Sequence, residues 1–140
     1  MAYNESIVSI SLKADSSIAV YTGVPGLPGS TDPNGGFQYR FVKVTGAATA
    51  GLADTDAAEI PVGVLQNKPQ YENAAATVAI AGVSLVELGG TVTAGSGVRN
   101  NATGKGVSAT AGTHIVLGVA LQGGTTGQVV PVLLLGPSFV

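Results

Sequence analysis

No stretch of this chain sustains a helical apolar period of about 3.6 residues. Its hydrophobic residues fall into short runs cut by Gly, Thr and Asn. Near the start, Val8, Ile10 and Leu12 alternate with Ser9, Ser11 and Lys13, the period of a strand with one buried face. Further short apolar runs at 18–22, 37–44, 60–65, 77–81, 83–88, 114–121 and 129–135 read as strands, the later ones spaced as in a barrel or sandwich. Residues 47–58 have the composition of a short helical turn, weakened by Gly46 and Gly51. The fold class that follows is all-β: a small barrel or sandwich of short strands.

Two segments echo each other. Pro61-Val-Gly-Val-Leu-Gln66 resembles Leu117-Gly-Val-Ala-Leu-Gln122, and Thr77-Val-Ala-Ile-Ala-Gly82 resembles Pro131-Val-Leu-Leu-Leu-Gly136. The offsets, 55 and 54, are nearly equal, which suggests that one β-hairpin unit is used twice. Chance likeness among Val/Gly-rich strands is the plainer alternative.

Of 140 residues, 21 are Gly, six are Lys or Arg and eight are Asp or Glu, for a net charge of −2. With 45% apolar residues, this is not the polar, highly charged composition of a disordered chain. Its length suits one domain. Residues 1–36 read as N-terminal strands or an arm followed by a Pro/Gly-rich loop, and residues 37–140 as the barrel-like body. Scattered basic residues argue against nucleic acid as partner. The absence of cysteine removes disulfides and thiolate chemistry. The first residues lack the basic start and apolar run of a signal peptide, and the longest apolar run, 129–135, is far too short for a membrane helix. A protein soluble in a cytoplasm is expected.

Motifs for chemistry are weak. Gly104-Lys-Gly-Val-Ser-Ala109 fits the letters of a dinucleotide fingerprint, but the flanking Asn-Asn-Ala-Thr and Thr-Ala-Gly-Thr predict a turn between strands instead of a strand entering a helix. Asp54, Asp56 and Glu59 form the acidic cluster, either a solvated loop or a weak cation site. His114, the single histidine, opens a predicted strand, and no strained serine elbow surrounds Ser84, Ser96 or Ser108. No catalytic, metal or cofactor residues are assigned. Phe37, Tyr39 and Phe41 alternate and would share one strand face, anchoring the core or, if exposed, forming a stacking platform.

From residue 60 onward, Ile60-Pro-Val-Gly-Val-Leu-Gln-Asn-Lys-Pro69, Ala76-Thr-Val-Ala-Ile-Ala-Gly-Val-Ser84, Gly89-Gly-Thr-Val-Thr-Ala-Gly95, Ala102-Thr-Gly-Lys-Gly106, Val116-Leu-Gly-Val-Ala-Leu121 and Gly127-Gln-Val-Val-Pro-Val-Leu133 follow in order. In that order and spacing the chain resembles the tailed-bacteriophage capsid decoration (cement) proteins, over roughly residues 41–135. The resemblance implies a β-barrel-like domain, homo-oligomeric with a trimer favoured. It would sit on the outside of a virion shell built of HK97-type major capsid protein and stabilise it, after synthesis in a bacterial cytoplasm. No enzymatic activity, cofactor, nucleic acid or membrane is implied. The first 40 residues carry no matching motif. Their loop, stiff and partly apolar, makes Tyr3, Val24, Pro25, Leu27 and Pro28 the candidate contacts to shell or neighbour. The rival reading is a carbohydrate- or cell-surface-binding module using Phe37, Tyr39 and Phe41.

Overall fold

A computed structural model describes residues 7–20, 36–55, 59–110 and 112–139. The described residues form nine strands and no helix: β1 (Val8–Ala14), β2 (Phe41–Gly46), β3 (Thr49–Leu52), β4 (Gly63–Leu65), β5 (Ala75–Glu87), β6 (Gly97–Asn100), β7 (Gly106–Ser108), β8 (Ile115–Ala120) and β9 (Val129–Phe139). Strands pair in the order β1-β3-β2-β4-β5, and β1 returns to β5, closing a five-stranded barrel. Beyond the barrel, β5 continues into a second sheet of order β5-β9-β8-β6-β7. The architecture is therefore a small barrel with an attached sheet.

β5 joins the two halves. Its first part pairs with β1 and β4, for example Ile10↔Val78 and Val64↔Ala79; from Gly82↔Leu134 to Glu87↔Val129 it pairs with β9. Ala76 and Val78 face the barrel core, whereas Val86, of the same parity, faces a second core. The phase slips by one residue between Ala79 and Gly82, where β5 carries an extra residue opposite Val8 and Ser9 of β1; Gly82, at a φ of 89°, ends this stretch in a conformation open to glycine at little cost. The two strands expected at 77–81 and 83–88 are therefore one continuous strand, β5, with a break in phase inside it.

The barrel core holds Ile18, Val42, Leu65 and Val78. The second core lies between the barrel wall, contributing Phe41, Val64 and Ala79, and the inner face of the second sheet, contributing Val86, Val132 and Leu134. β4 and the start of β2, Phe41 and Val42, are consequently buried on both sides. Their neighbours in sequence, Phe41 and Val42 or Val64 and Leu65, face different cores.

The repeated hairpin is present in three dimensions. Val64↔Ala79 and Leu65↔Val78 in β4–β5 correspond to Val119↔Leu133 and Ala120↔Val132 in β8–β9 at the offsets seen in the sequence. The Gln66 N–H to Thr77 carbonyl bond (2.8 Å) has its counterpart from Leu121 N–H to the Pro131 carbonyl (2.9 Å). Gly63 and Gly118 occupy the same spot in each unit: a Cβ on Gly63 would meet the Ala79 carbonyl, and one on Gly118 the Leu133 carbonyl.

Three expected elements differ. The run 18–22 does not start as a strand, because Asp15 Oδ1 accepts the Ser17 N–H (2.8 Å) and the Asp15 carbonyl takes Ile18 and Ala19, making a turn. The run 37–44 becomes strand only at Phe41, since Tyr39 adopts a φ of 69° within a turn. Residues 47–58 contain no helical turn among those described. Ala48, at a φ of 50°, instead closes a tight connection into β3. The candidate contacts Tyr3, Val24, Pro25, Leu27 and Pro28 lie outside the described residues.

Candidate functional surface

An ion-pair cluster that the sequence did not single out helps hold the two halves together. Arg40, just before β2, is 7% exposed. Its guanidinium lies 4.8 Å from the Phe37 ring centre and donates from Nε to Glu87 Oε2 at 2.9 Å. Lys105, from the β6–β7 connection, reaches the other Glu87 oxygen at 3.6 Å. The Glu87 N–H bonds the Tyr39 carbonyl, so one carboxylate ties the barrel entrance, the end of β5 and the β6–β7 loop. That loop contains the start of the fingerprint-like stretch. Asn101 Oδ1 accepts the Thr103 and Lys105 N–H groups, closing a turn that leads into β7. The predicted turn between strands is what forms, with no helix terminus to receive a phosphate.

Of the acidic cluster, Asp54 and Glu59 pair with a lysine, and Asp56 lies outside the described residues. Lys43 Nζ on β2 bonds both Asp54 Oδ1 and Glu59 Oε2, while Glu59 Oε1 accepts from Thr55 N–H (2.8 Å) and Asn100 Nδ2 (3.3 Å). The hydrogen bond from Lys43 holds the Asp54 carboxyl below the usual carboxylate range. Asp54 first, and Glu59 second, raise Lys43 above its ordinary value. These carboxylates are the counter-ions of a lysine. Among the described residues no group of three or more His, Asp or Glu is placed to hold a metal.

His114 precedes β8, and its Nδ1 accepts the Thr110 N–H at 2.8 Å, a turn-closing role. Ser84 is buried, donates to the Leu85 carbonyl and accepts from Gln66 Nε2. Of the alternating aromatics, Phe41 is 1% exposed in the core and Phe37 packs at the edge of the barrel core. The three do not form an exposed platform, because only Phe41 lies on the strand. An open apolar cleft of about 220 Å³ lies between the halves, lined by Phe41, Pro61, Ile80, Leu117 and Leu134. Much of that volume is open to solvent, and the enclosed part has room for about one water.

The feature that sequence reasoning missed is the outer face of the second sheet. Residues directly opposite in a ladder share a face. Val83↔Leu133↔Val119 forms one row, and Leu85↔Pro131, with Leu121 bonded to Pro131, forms the next. Leu85, Leu121, Val129, Leu133 and Leu135 are each 38–53% exposed. The signal was in the unbroken apolar run 129–135, because such runs are usual in strands covered on both faces. Here Val130, Pro131, Val132 and Leu134 are buried, while Val129, Leu133 and Leu135 are exposed.

No protein-family model matches the chain, and no curated protein matches it in sequence. Among solved structures, it is similar to the crystal structure of the N base of head fibre gp8.5 of bacteriophage phi29. The TM-score is 0.64 at 16% identity, over 92% of this chain and 94% of that one. The two share a fold across nearly their whole lengths.

Proposed function

We propose that this chain is a structural protein of a tailed-phage head, a decoration protein that binds the outside of the assembled major-capsid-protein shell and stabilises it. The observation that carries this reading is the likeness of nearly the whole fold to a head-fibre base from a phage. The ordered motifs of residues 60–133, which resemble capsid decoration proteins, point the same way. The charged groups of the polar clusters are engaged within the chain, Arg40 with Glu87 and Lys43 with Glu59, as suits a structural role. A protein that binds the assembled lattice and not the loose subunit stabilises the shell by mass action. Many symmetry-related copies make modest contacts sufficient through avidity. The rival sugar-binding reading loses its platform with Phe41 in the core.

The test is to add the purified chain to undecorated shells of the major capsid protein of the same phage, then to follow cosedimentation and the shell melting temperature. Saturable binding with a raised melting temperature is expected. Unchanged sedimentation and melting at saturating chain would refute the proposal. For the shell contact we propose residues 1–6, with Tyr3, and the loop around Val24, Pro25, Leu27 and Pro28. Val24→Ser with Leu27→Ser should weaken sedimentation and leave the fold intact. Deletion must stop before Val8, because β1 is a barrel strand.

A further inference from the structure

We infer that the β5–β6 and β8–β9 connections form a two-fold clasp that opens as a single unit, so that neither connection can leave the sheet without releasing the other. A shift of 32 in residue number carries one unit, residues 85–98, onto the other, residues 117–130. Exchanging the units turns Val86↔Val130 into Gly118↔Val98 and Glu87↔Val129 into Val119↔Gly97, and all four pairings are present. The backbone bonds obey the same exchange. Gly127 N–H donates to the Leu88 carbonyl (2.8 Å) as Gly95 N–H does to the Ala120 carbonyl (2.7 Å). Leu88 N–H donates to the Gln128 carbonyl (2.8 Å) as Ala120 N–H does to the Ser96 carbonyl (3.0 Å). At the centre Val92 and Gly124 exchange both of their N–H···O bonds, each 2.9 Å. The turns agree as well, with Ser96 N–H on the Thr93 carbonyl and Gln128 N–H on the Thr125 carbonyl, both 3.1 Å, and φ of 86° at Gly95 and 85° at Gly127. In sequence only Thr93/Thr125, Gly95/Gly127 and Val98/Val130 are identical between 92 and 98 and their counterparts, so pairing reveals the two-fold where composition hides it.

The consequence lies in where those bonds go. Each unit keeps the turn bond to itself, while the six others run from one unit to the other. A surface connection bonded within itself opens alone. Here, peeling away either connection strips the other of its partners. The side chains are shared in the same way: Leu88, Val92, Val98, Ala120 and Val130 lie in one core, and a Cβ on Gly124 would stand 3.0 Å from both Leu88 Cδ1 and Val130 Cγ1. Gly95 and Gly127 are exposed, yet their N–H groups are held across the clasp. The barrel has its own core, so it can stay closed while the clasp opens.

Amide hydrogen exchange on the full chain, followed by NMR, tests this. In the wild type the N–H groups of Val92, Gly95, Gly124 and Gly127 should share one protection factor within about three-fold, at least roughly ten-fold below that of the barrel N–H groups of Leu65 and Gln66, because they report one sub-global opening. Gly127→Ala puts an L residue at a positive φ where its Cβ meets nothing within 4 Å, so the strain is confined to the backbone of one turn. Exchange should quicken roughly five- to thirty-fold at Gly124 and by the same factor at Val92 and Gly95 in the other connection. Gly95→Ala is the reciprocal variant, quickening Gly124 and Gly127 alike, and it takes the place of Gly127→Ala if that chain does not fold. Acceleration confined to the substituted connection would overturn the inference. So would four wild-type amides exchanging no faster than Leu65 and Gln66, since the clasp would then open only with the whole chain.

Discussion

Gly63→Ala tests the repeated hairpin most directly. A Cβ at that position would stand 2.0 Å from the Ala79 carbonyl oxygen and 2.8 Å from Val78 Cγ1. Side-chain carbons do not approach closer than 3.0 Å, so the oxygen must retreat by about an ångström. That oxygen is backbone, in the middle of the β4–β5 ladder, and cannot swing aside as a flexible side chain would. Overpacking of this kind costs ~1–3 kcal/mol, and disturbing the adjacent ladder bonds adds ~1 kcal/mol. A loss of about 3 kcal/mol is expected, and at roughly 3–5 °C per kcal/mol for this chain length the melting temperature should fall by about 10 °C. Gly118→Ala meets the equivalent Leu133 oxygen at 2.5 Å and Val132 Cγ1 at 2.6 Å, so a similar but smaller loss of about 2 kcal/mol is expected. Gly46, whose added Cβ has nothing nearer than 3.7 Å, is the control; its Ala variant should be neutral or up to ~1 kcal/mol more stable. Urea titration and thermal melts followed by circular dichroism give the three values. Gly63→Ala melting within about 2 °C of wild type would refute the steric argument.

Phe41→Ala removes a fully buried ring from the wall between the two cores; it should cost ~3–5 kcal/mol, measured by urea midpoint, and a loss under ~1 kcal/mol would contradict the packing. Glu87→Gln strips the counter-charge from Arg40, whose side chain is 8% exposed. A loss of about 2–3 kcal/mol is expected from the same titration, and no loss would mean that the ion pair does not couple the halves. The Lys43–Asp54 pair contributes stability above the ordinary carboxylate pKa, because Asp54 is depressed in the fold; the contribution fades as pH drops below about 4. It also fades as pH rises past the raised lysine value, above 10.5. Since Asp54 is 58% exposed, the effect should be under ~1 kcal/mol and shrink with salt. Lys43→Met should therefore lie nearer wild type at pH 3 than at pH 7, and a constant difference would refute the assignment.

The short alternating runs specified an all-β chain, because a buried sheet face needs apolar residues at period two, and that pattern is local. The duplicated hairpin was legible for a related reason: Gly63 and Gly118 are each required by a backbone approach inside their own unit. Other features were not local. The aromatic run looked like one strand until Tyr39 turned to a positive φ, and β6 and β7 were too short to show a period. The partners of Lys43 lie 11 and 16 residues away and that of Arg40 lies 47 away, separations that composition cannot bridge.

The sequence by itself determined that this chain builds strands and where its phase breaks, since backbone geometry and side-chain alternation are set residue by residue. Only the tertiary structure decided which faces those strands cover. Closure of the barrel through β1 and β5 gives β4 and the first residues of β2 two buried sides, while β9, equally apolar in sequence, is covered mainly on one. The difference arises because burial depends on what a long-range pairing brings opposite a strand.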